Sequence, residues 1–168
     1  MRSHTVIDSP VGPLTLVAEE GAIVGLYMSL QRHRPVDGEF GEPEGGGLHT
    51  GLFTAAAGQL DAYFAGERTT FDLPLAPRGS DFQRRVWAAL QEIPYGETES
   101  YGQLAEHIGS PGGARAVGLA NGRNPIGIVI PCHRVIGSGG SLTGYGGGLE
   151  RKKQLLDLEL TFSGVSLF

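Results

Sequence analysis

The chain has 168 residues, 40% of them hydrophobic and 18% charged, with 28 glycines and a single cysteine. That length supports one domain or two small ones with enough core to fold without covalent staples, and one cysteine excludes an internal disulfide and a cysteine-built structural zinc site. A formal net charge of −5 argues against a uniformly basic nucleic-acid binder.

The first half reads as an antiparallel meander. Thr5 to Ile7, Leu14 to Ala18 and Ala22 to Met28 are short apolar or alternating runs, separated by the turn-forming stretches Ser9-Pro10-Val11-Gly12-Pro13 and Glu19-Glu20-Gly21. Residues 31–48 are rich in Gly, Glu and Pro with few apolar anchors, the pattern of a long, mobile loop. Phe53, Ala56, Ala57, Leu60, Tyr63 and Phe64 then recur at helical spacing over residues 52–65, and Gly66 is the stop signal. Phe71 to Leu75 is a further short strand or an extended linker. The composition of residues 76–80 marks a boundary, giving domains 1–78 and 79–168. His4, His33 and His49 show no paired metal spacing, so this half is expected to pack and support, with no metal site. Met1-Arg-Ser-His is followed by no long apolar run and no stretch approaches membrane-spanning length. A reducing cytoplasm is the expected compartment, with no membrane partner.

The second half opens with helices. Ser80-x-x-Gln83 and Ser100-x-x-Gln103 are capping-box patterns, the first leading into Phe82, Val86 and Leu90, the second into Leu104, Ala105 and Ile108. Pro94-Tyr95-Gly96 breaks the first helix and Gly109 ends the second. Ser110-Pro111 reads as the start of a third, with proline in the favoured first position, running to Asn121-Gly122. Two short helices and a tight turn form a helix-turn-helix. The expected fold class is therefore α+β: an antiparallel-sheet domain with a flanking helix, then a mainly helical, winged-helix-like domain.

The third helix carries Gly112, Gly113, Ala114, Ala116, Gly118 and Ala120, with one long side chain, Arg115, near its start. Small residues serve either close packing inside the domain or close approach of backbone to a nucleic-acid groove. The charge distribution is a separate indication. Residues 1–80 hold 10 acids and 5 Lys/Arg, whereas residues 81–168 hold 8 of each. No acid occurs between Glu106 and Glu150, where Arg115, Arg123 and Arg134 all fall. A local cationic zone of this kind suits a phosphate backbone.

The cysteine lies in Asn124-Pro-Ile-Gly-Ile-Val-Ile-Pro-Cys-His-Arg-Val-Ile136. Ile126 to Ile130 reads as a short buried strand that Pro131 ends, leaving Cys132 at a strand-to-loop junction. A lone cysteine is either a small buried hydrophobe or a nucleophile, and His133 and Arg134 are residue types that take a thiol's proton or stabilise a thiolate. The glycine-rich loop from Gly137 to Gly148 can wrap backbone round a flat ligand, and its spacing is not that of a phosphate or dinucleotide fingerprint. In the last helix, Leu149 to Leu160, Glu159 falls on the stripe of Leu155 and Leu156 and near a C-terminus where the dipole disfavours an anion. Either Glu159 lies in water at a frayed end or it is paired, and a buried histidine that needs orienting is the natural partner.

Pro131-Cys132-His133-Arg134-Val135 resembles the active-site signature of the O6-alkylguanine-DNA alkyltransferases, the methylated-DNA–protein-cysteine methyltransferases. The likeness runs from Asp81 to Glu159 through Phe82-Gln83, Val86-Trp87, Ile93-Pro94-Tyr95-Gly96, Ser100-Tyr101, Ala114-Arg115-Ala116-Val117-Gly118, Asn124-Pro125, Gly144-Tyr145 and Gly147-Gly148, and the first eighty residues match more loosely. The resemblance implies DNA repair: the alkyl group on O6 of a guanine in duplex DNA passes irreversibly to Cys132, once per molecule, after the base is flipped out. It implies that Glu159 orients His133, that His133 takes the Cys132 proton through a water, and that Asn124 braces the network. Tyr101, on its residue type alone a partly buried helix tyrosine, matches the family tyrosine that pushes the nucleotide out and contacts the base. Arg115 matches the arginine that fills the gap in the stack, and Ala114, Gly118, Asn121 and Arg123 fall on or beside the helix that enters the minor groove. Tyr145, the Gly146 N–H and the Val135 carbonyl would line the guanine pocket. Arg134 is expected to tie the loop to its surroundings. No cofactor is implied, and the partner is double-stranded DNA containing O6-alkylguanine, bound by a monomer that can cluster on DNA.

Two other classes stay open. A non-catalytic binder of damaged DNA on the same scaffold would lack the nucleophile, and Cys132 is present. A Cys–His hydrolase would leave the helix-turn-helix and Arg115 without a task.

Overall fold

A computed structural model describes residues 1–35, 37–43, 47, 49–140 and 144–163. The three N-terminal runs form an antiparallel meander, β1 (Arg2–Ile7), β2 (Leu14–Glu19) and β3 (Ala22–Met28). Leu14 pairs with Ile7 and Met28, and Leu16 with Thr5 and Leu26. One face of the sheet enters the main core through Leu14, Leu16, Leu26 and Met28, and the other is roofed where Phe40 covers Val17 and Val24.

That roof corrects the expectation of a long, mobile loop with few apolar anchors. Asp37–Phe40 is a turn of 3-10 helix, and β4 (Glu42–Pro43) pairs in parallel with Ser3 and His4 at the sheet edge. A single aromatic, Phe40, carries the segment, and one residue leaves no periodicity to read. Residues 36, 44–46 and 48 of the expected loop lie outside the described residues.

Helix α1 (Thr50–Phe64) packs Phe53, Ala56, Leu60 and Tyr63 inward. The 71–75 segment is an extended linker that lies along β3, with Ile23 N–H donating to Pro74 O at 2.8 Å and Ala76 N–H to Ile23 O at 2.9 Å. Helices α2 (Asp81–Leu90) and α3 (Tyr101–His107) each begin with a complete reciprocal capping box, from Ser80 and Gln83 and from Ser100 and Gln103. Helix α4 is Ala114–Gly122, and Trp87 Nε1 donates to Ala120 O at 2.8 Å to hold α2 against it.

Helix α4 starts three residues later than Pro111 suggested. Gly113 N–H closes a turn on Ser110 O at 2.9 Å, with Gly112 at φ +81°. Proline second and glycine third in a four-residue turn is the type II preference, which here outcompetes proline's preference for a first helical position.

Two-residue strands β5 (Glu99–Ser100) and β6 (Val135–Ile136) pair in parallel, and helix α5 (Leu149–Phe162) closes the described fold. One core cluster joins both halves, from Leu14 and Tyr63 through Trp87 and Ile126 to Val135 and Leu155.

Ile126–Ile130 is buried, but it is not a strand. Ile126 makes one isolated bridge to Leu26. The next residues then coil, with Val129 N–H on Gly127 O at 2.8 Å, Ile130 N–H on Ile126 O at 3.0 Å, and Ile128 at φ +69°. Asn124 supplies what a neighbouring strand would have supplied: its Oδ1 accepts from Ile126 N–H at 3.0 Å and its Nδ2 donates to Ile130 O at 2.8 Å. A continuous apolar run signals burial without specifying the backbone that is buried.

Candidate active site

Cys132, His133 and Arg134 form one turn of 3-10 helix between the coiled segment and β6, and all three are buried. Their side chains diverge from that turn. The Cys132 thiol is close enough to Tyr145 of the glycine-rich loop to act on its hydroxyl, and His133 and Arg134 both reach Glu159 on α5.

Glu159 is 1% exposed. Its Oε2 lies 2.6 Å from His133 Nε2, 2.6 Å from the Tyr63 hydroxyl and 3.0 Å from Arg134 Nη2. Its Oε1 accepts from Arg134 Nε at 2.8 Å and from Gly96 N–H at 3.4 Å. Arg134 also donates through Nη1 to Ile93 O at 2.7 Å. Burial works to raise the Glu159 carboxyl, but the His133 N–H and the Arg134 guanidinium outweigh it and bring it down to about 2. A two-toothed arginine contact is among the strong, charge-assisted hydrogen bonds to a carboxylate.

Burial dominates His133, which is fully enclosed, and lowers it below its ordinary value despite the pull of Glu159. The imidazole is therefore neutral, with its hydrogen on Nε2 donated to the carboxylate. Nδ1 then carries the lone pair, and it bonds no described protein atom.

Burial raises the Cys132 thiol, while a hydrogen bond from the Asn124 side chain and the charge of Lys152 act in the opposite direction. Lys152 was not singled out from the sequence. It is 0% exposed, its Nζ donates to Val135 O at 2.6 Å and to Gly144 O at 3.2 Å, and burial brings it down to about 8. The signal was present, because Lys152, Leu155 and Glu159 share one helical stripe. Tyr63 left no such signal, since it sits 96 residues from Glu159 in the half expected only to support.

The pocket loop packs against the N-terminal sheet. Arg32 N–H donates to Gly146 O at 2.7 Å, and a Cβ at Gly147 would collide with the Met28 sulfur and press on the Tyr145 ring. Tyr145 is half-buried, and burial together with the nearby Cys132 raises its hydroxyl well above the ordinary value. Residues 141–143 of the glycine-rich loop lie outside the described residues. The Val135 carbonyl accepts from Lys152, which occupies one of its lone pairs.

The residues expected to meet DNA do not all share a surface. Arg115 and Arg123 are exposed, Ala114 and Gly118 half-buried, and the Tyr101 ring lies over Gly118 within reach of Gly144. Asn121 is a correction. It is 4% exposed and its Nδ2 turns inward to Cys132 O at 3.3 Å, so it braces the nucleophile's turn and presents nothing to a groove. Among the described residues, no group of three or more His, Cys, Asp or Glu side chains is placed to hold a metal, and no helix is long and apolar enough to cross a membrane.

Comparison with known proteins returns one family for both halves. Residues 3–77 match the ribonuclease-like domain of 6-O-methylguanine DNA methyltransferase, and residues 81–161 match its DNA binding domain. A methylated-DNA–protein-cysteine methyltransferase of Mycolicibacterium paratuberculosis is 56% identical over 99% of this chain and 98% of its own length. One from Methanosarcina acetivorans is 50% identical over 93% and 97%. Among solved structures, Mycobacterium tuberculosis O6-methylguanine methyltransferase superposes with a TM-score of 0.87 at 53% identity, covering 99% and 98% of the two chains. The structure of M. tuberculosis OGT in complex with DNA gives a TM-score of 0.85 at 55% identity, covering 95% and 94%.

Proposed function

Because the chain belongs to the 6-O-methylguanine DNA methyltransferase family, we propose that it repairs duplex DNA by moving the alkyl group from O6 of guanine to the sulfur of Cys132. The observation that carries this is the placement of a neutral, buried His133, locked by Glu159, directly beside the chain's one cysteine.

In this mechanism Glu159 and Arg134 hold the His133 ring with Nδ1 free to accept a proton. The Cys132 proton passes to Nδ1 through a bridging water, and Lys152 and Asn124 favour the thiolate. The thiolate attacks the alkyl carbon in line, so that the S–C bond forms as the C–O6 bond breaks. The electron pair leaves on guanine, where Tyr101 and the backbone N–H near Gly146 stabilise it. Tyr145 borders the alkyl group, and Val135 O, with one lone pair left, accepts from the exocyclic amine.

The thioether product is stable, and among the described residues no second nucleophile is placed to cleave it, so each molecule acts once. Arg115 fills the gap left by the extruded base, with Ala114 and Gly118 allowing close approach and Arg123 meeting a phosphate. Residues 79–168 carry the chemistry. The protein works as a monomer in a reducing cytoplasm, where a lone cysteine stays a thiol.

The test is intact mass and peptide mapping after mixing with a duplex holding one O6-methylguanine. One methyl per protein on Cys132, with guanine restored, is the expected outcome, and Cys132→Ser removes it. A wild-type protein that shifts the duplex on a gel and stays unmodified is a binder, and the relay described above fails.

A further inference from the structure

Beside the base pocket, residues from both halves wall a cleft of about 240 Å³. Arg32 and His33 enter it from the segment after β3, Arg78 from the linker, and Arg123 from the end of α4, while no aspartate or glutamate lines it. Arg78 is paired with Glu19 at 2.8 Å. The guanidiniums of Arg32 and Arg123 have no ion pair or hydrogen bond with the described residues. Like charges gathered at a concave surface without a counter-charge raise a positive potential there, which an anion relieves.

Two further observations point the same way. His33 is held at φ +61°, a left-handed conformation uncommon outside glycine, which fixes where its imidazole enters the cleft. Its imidazole is lowered by burial and then by the charges of Arg123 and Arg32, so both guanidiniums bear on one point. The cleft also adjoins segments that reach the active site, through Asn124 in its lining. Arg32 is bonded through its backbone to Gly146 in the pocket loop, and Arg123 directly precedes Asn124, which steadies Cys132.

Resting on the repair reading above, we propose that this cleft takes one backbone phosphate of the DNA strand that delivers the nucleotide to Cys132, clamped between Arg32 of the N-terminal half and Arg123 of the helix-turn-helix. Guanidinium forks suit phosphate oxygens. The N-terminal half then takes part in holding DNA as well as packing.

The test replaces each phosphate near the target guanine, one at a time, with a neutral methylphosphonate. In the wild type one position is expected to cost about tenfold in affinity. That penalty disappears in the Arg32→Ala/Arg123→Ala double variant, and the dependence of log affinity on log salt becomes shallower by about 0.9 per lost contact. The Arg32→Lys/Arg123→Lys pair, which keeps the charge, retains most of the slope and so separates lost contact from misfolding. A penalty and slope unchanged in the alanine pair overturn the proposal. In a second arm, inorganic phosphate is titrated into the wild type without DNA. Saturable binding there, with no methylphosphonate position coupled to the arginines, makes the cleft a free-anion site and overturns the DNA assignment. Methylation of Cys132 is read in the same wild-type samples. If it is absent, the repair reading fails; if it is present and no phosphate couples, the clamp alone fails.

Discussion

The Tyr63 hydroxyl and the Glu159 carboxylate are 96 residues apart in sequence and 2.6 Å apart in the fold. Glu159 Oε2 thereby receives donors from His133, Arg134 and, across the domain boundary, Tyr63. The phenol withdraws charge from the carboxylate, and with it part of the pull that would make His133 an imidazolium. Tyr63→Phe keeps the ring and its packing and deletes that bond. It is expected to cost about 1 kcal/mol of stability and to move the acid limb of the methyl-transfer rate to higher pH, because a less satisfied carboxylate holds the imidazole proton more tightly. Single-turnover rates across the acid range check this. An unmoved limb makes Tyr63 a packing residue only.

Acid should unfold the protein partly through Glu159. Its folded value of about 2 lies below the ordinary 4.5. The stabilisation is therefore complete above about 4.5 and is lost as pH falls toward 2, worth ~3 kcal/mol over that window. Glu159→Gln leaves Arg134 buried without its counter-charge and is expected to cost about 3–5 kcal/mol at neutral pH, with a flatter acid dependence. Urea midpoints at pH 5 and pH 3 for both proteins measure the difference, and parallel pH dependences would contradict it.

Lys152 carries an opposite signature. Its folded value of about 8 lies below the usual 10.5, so the unfolded chain binds the extra proton and stability rises with pH between those two values. The ammonium beside Cys132 is also lost above about 8, and methyl transfer is expected to fall there. Lys152→Met, similar in length and uncharged, should slow transfer about tenfold or more at pH 7, because charge-assisted contacts in an enclosed site are worth that much. It should also abolish the alkaline limb. The same limb in both proteins would assign it to another group.

Gly147 sits where any Cβ would meet the Met28 sulfur and the Tyr145 ring. Gly147→Ala is expected to destabilise by about 1–3 kcal/mol through overcrowding and to slow transfer by moving Tyr145. Adding Met28→Ala makes room, so the double variant should recover part of the rate, a non-additivity that contact pairs show. Strict additivity would place the effect elsewhere.

Local rules made some of this molecule legible from sequence and left other parts dark. Ser80 and Ser100 announced two helices because a capping box is decided within four residues. Glu159 announced itself as a misplaced charge on an apolar stripe, and Lys152 would have done so by the same reasoning. Ile126–Ile130 was legible as buried, yet its path is set by Asn124 and Leu26 and not by its own side chains. Tyr63 was unreadable, since nothing near it in sequence distinguishes a core tyrosine from one whose hydroxyl meets a carboxylate across the chain. Asn121 was hard to place for a related reason: adjacent helix positions point about 100° apart, and which of them turns toward Cys132 is decided by packing against the rest of the fold.

The short β5–β6 pairing joins Glu99–Ser100, just before Tyr101, to Val135–Ile136, just after the Cys-His-Arg turn. Two rungs of ladder thus tie the start of the helix-turn-helix directly to the backbone that holds the sulfur. On the repair reading, a base held by the first helix and the sulfur that meets it therefore share one short stretch of ladder, and their spacing is set by two residue pairs.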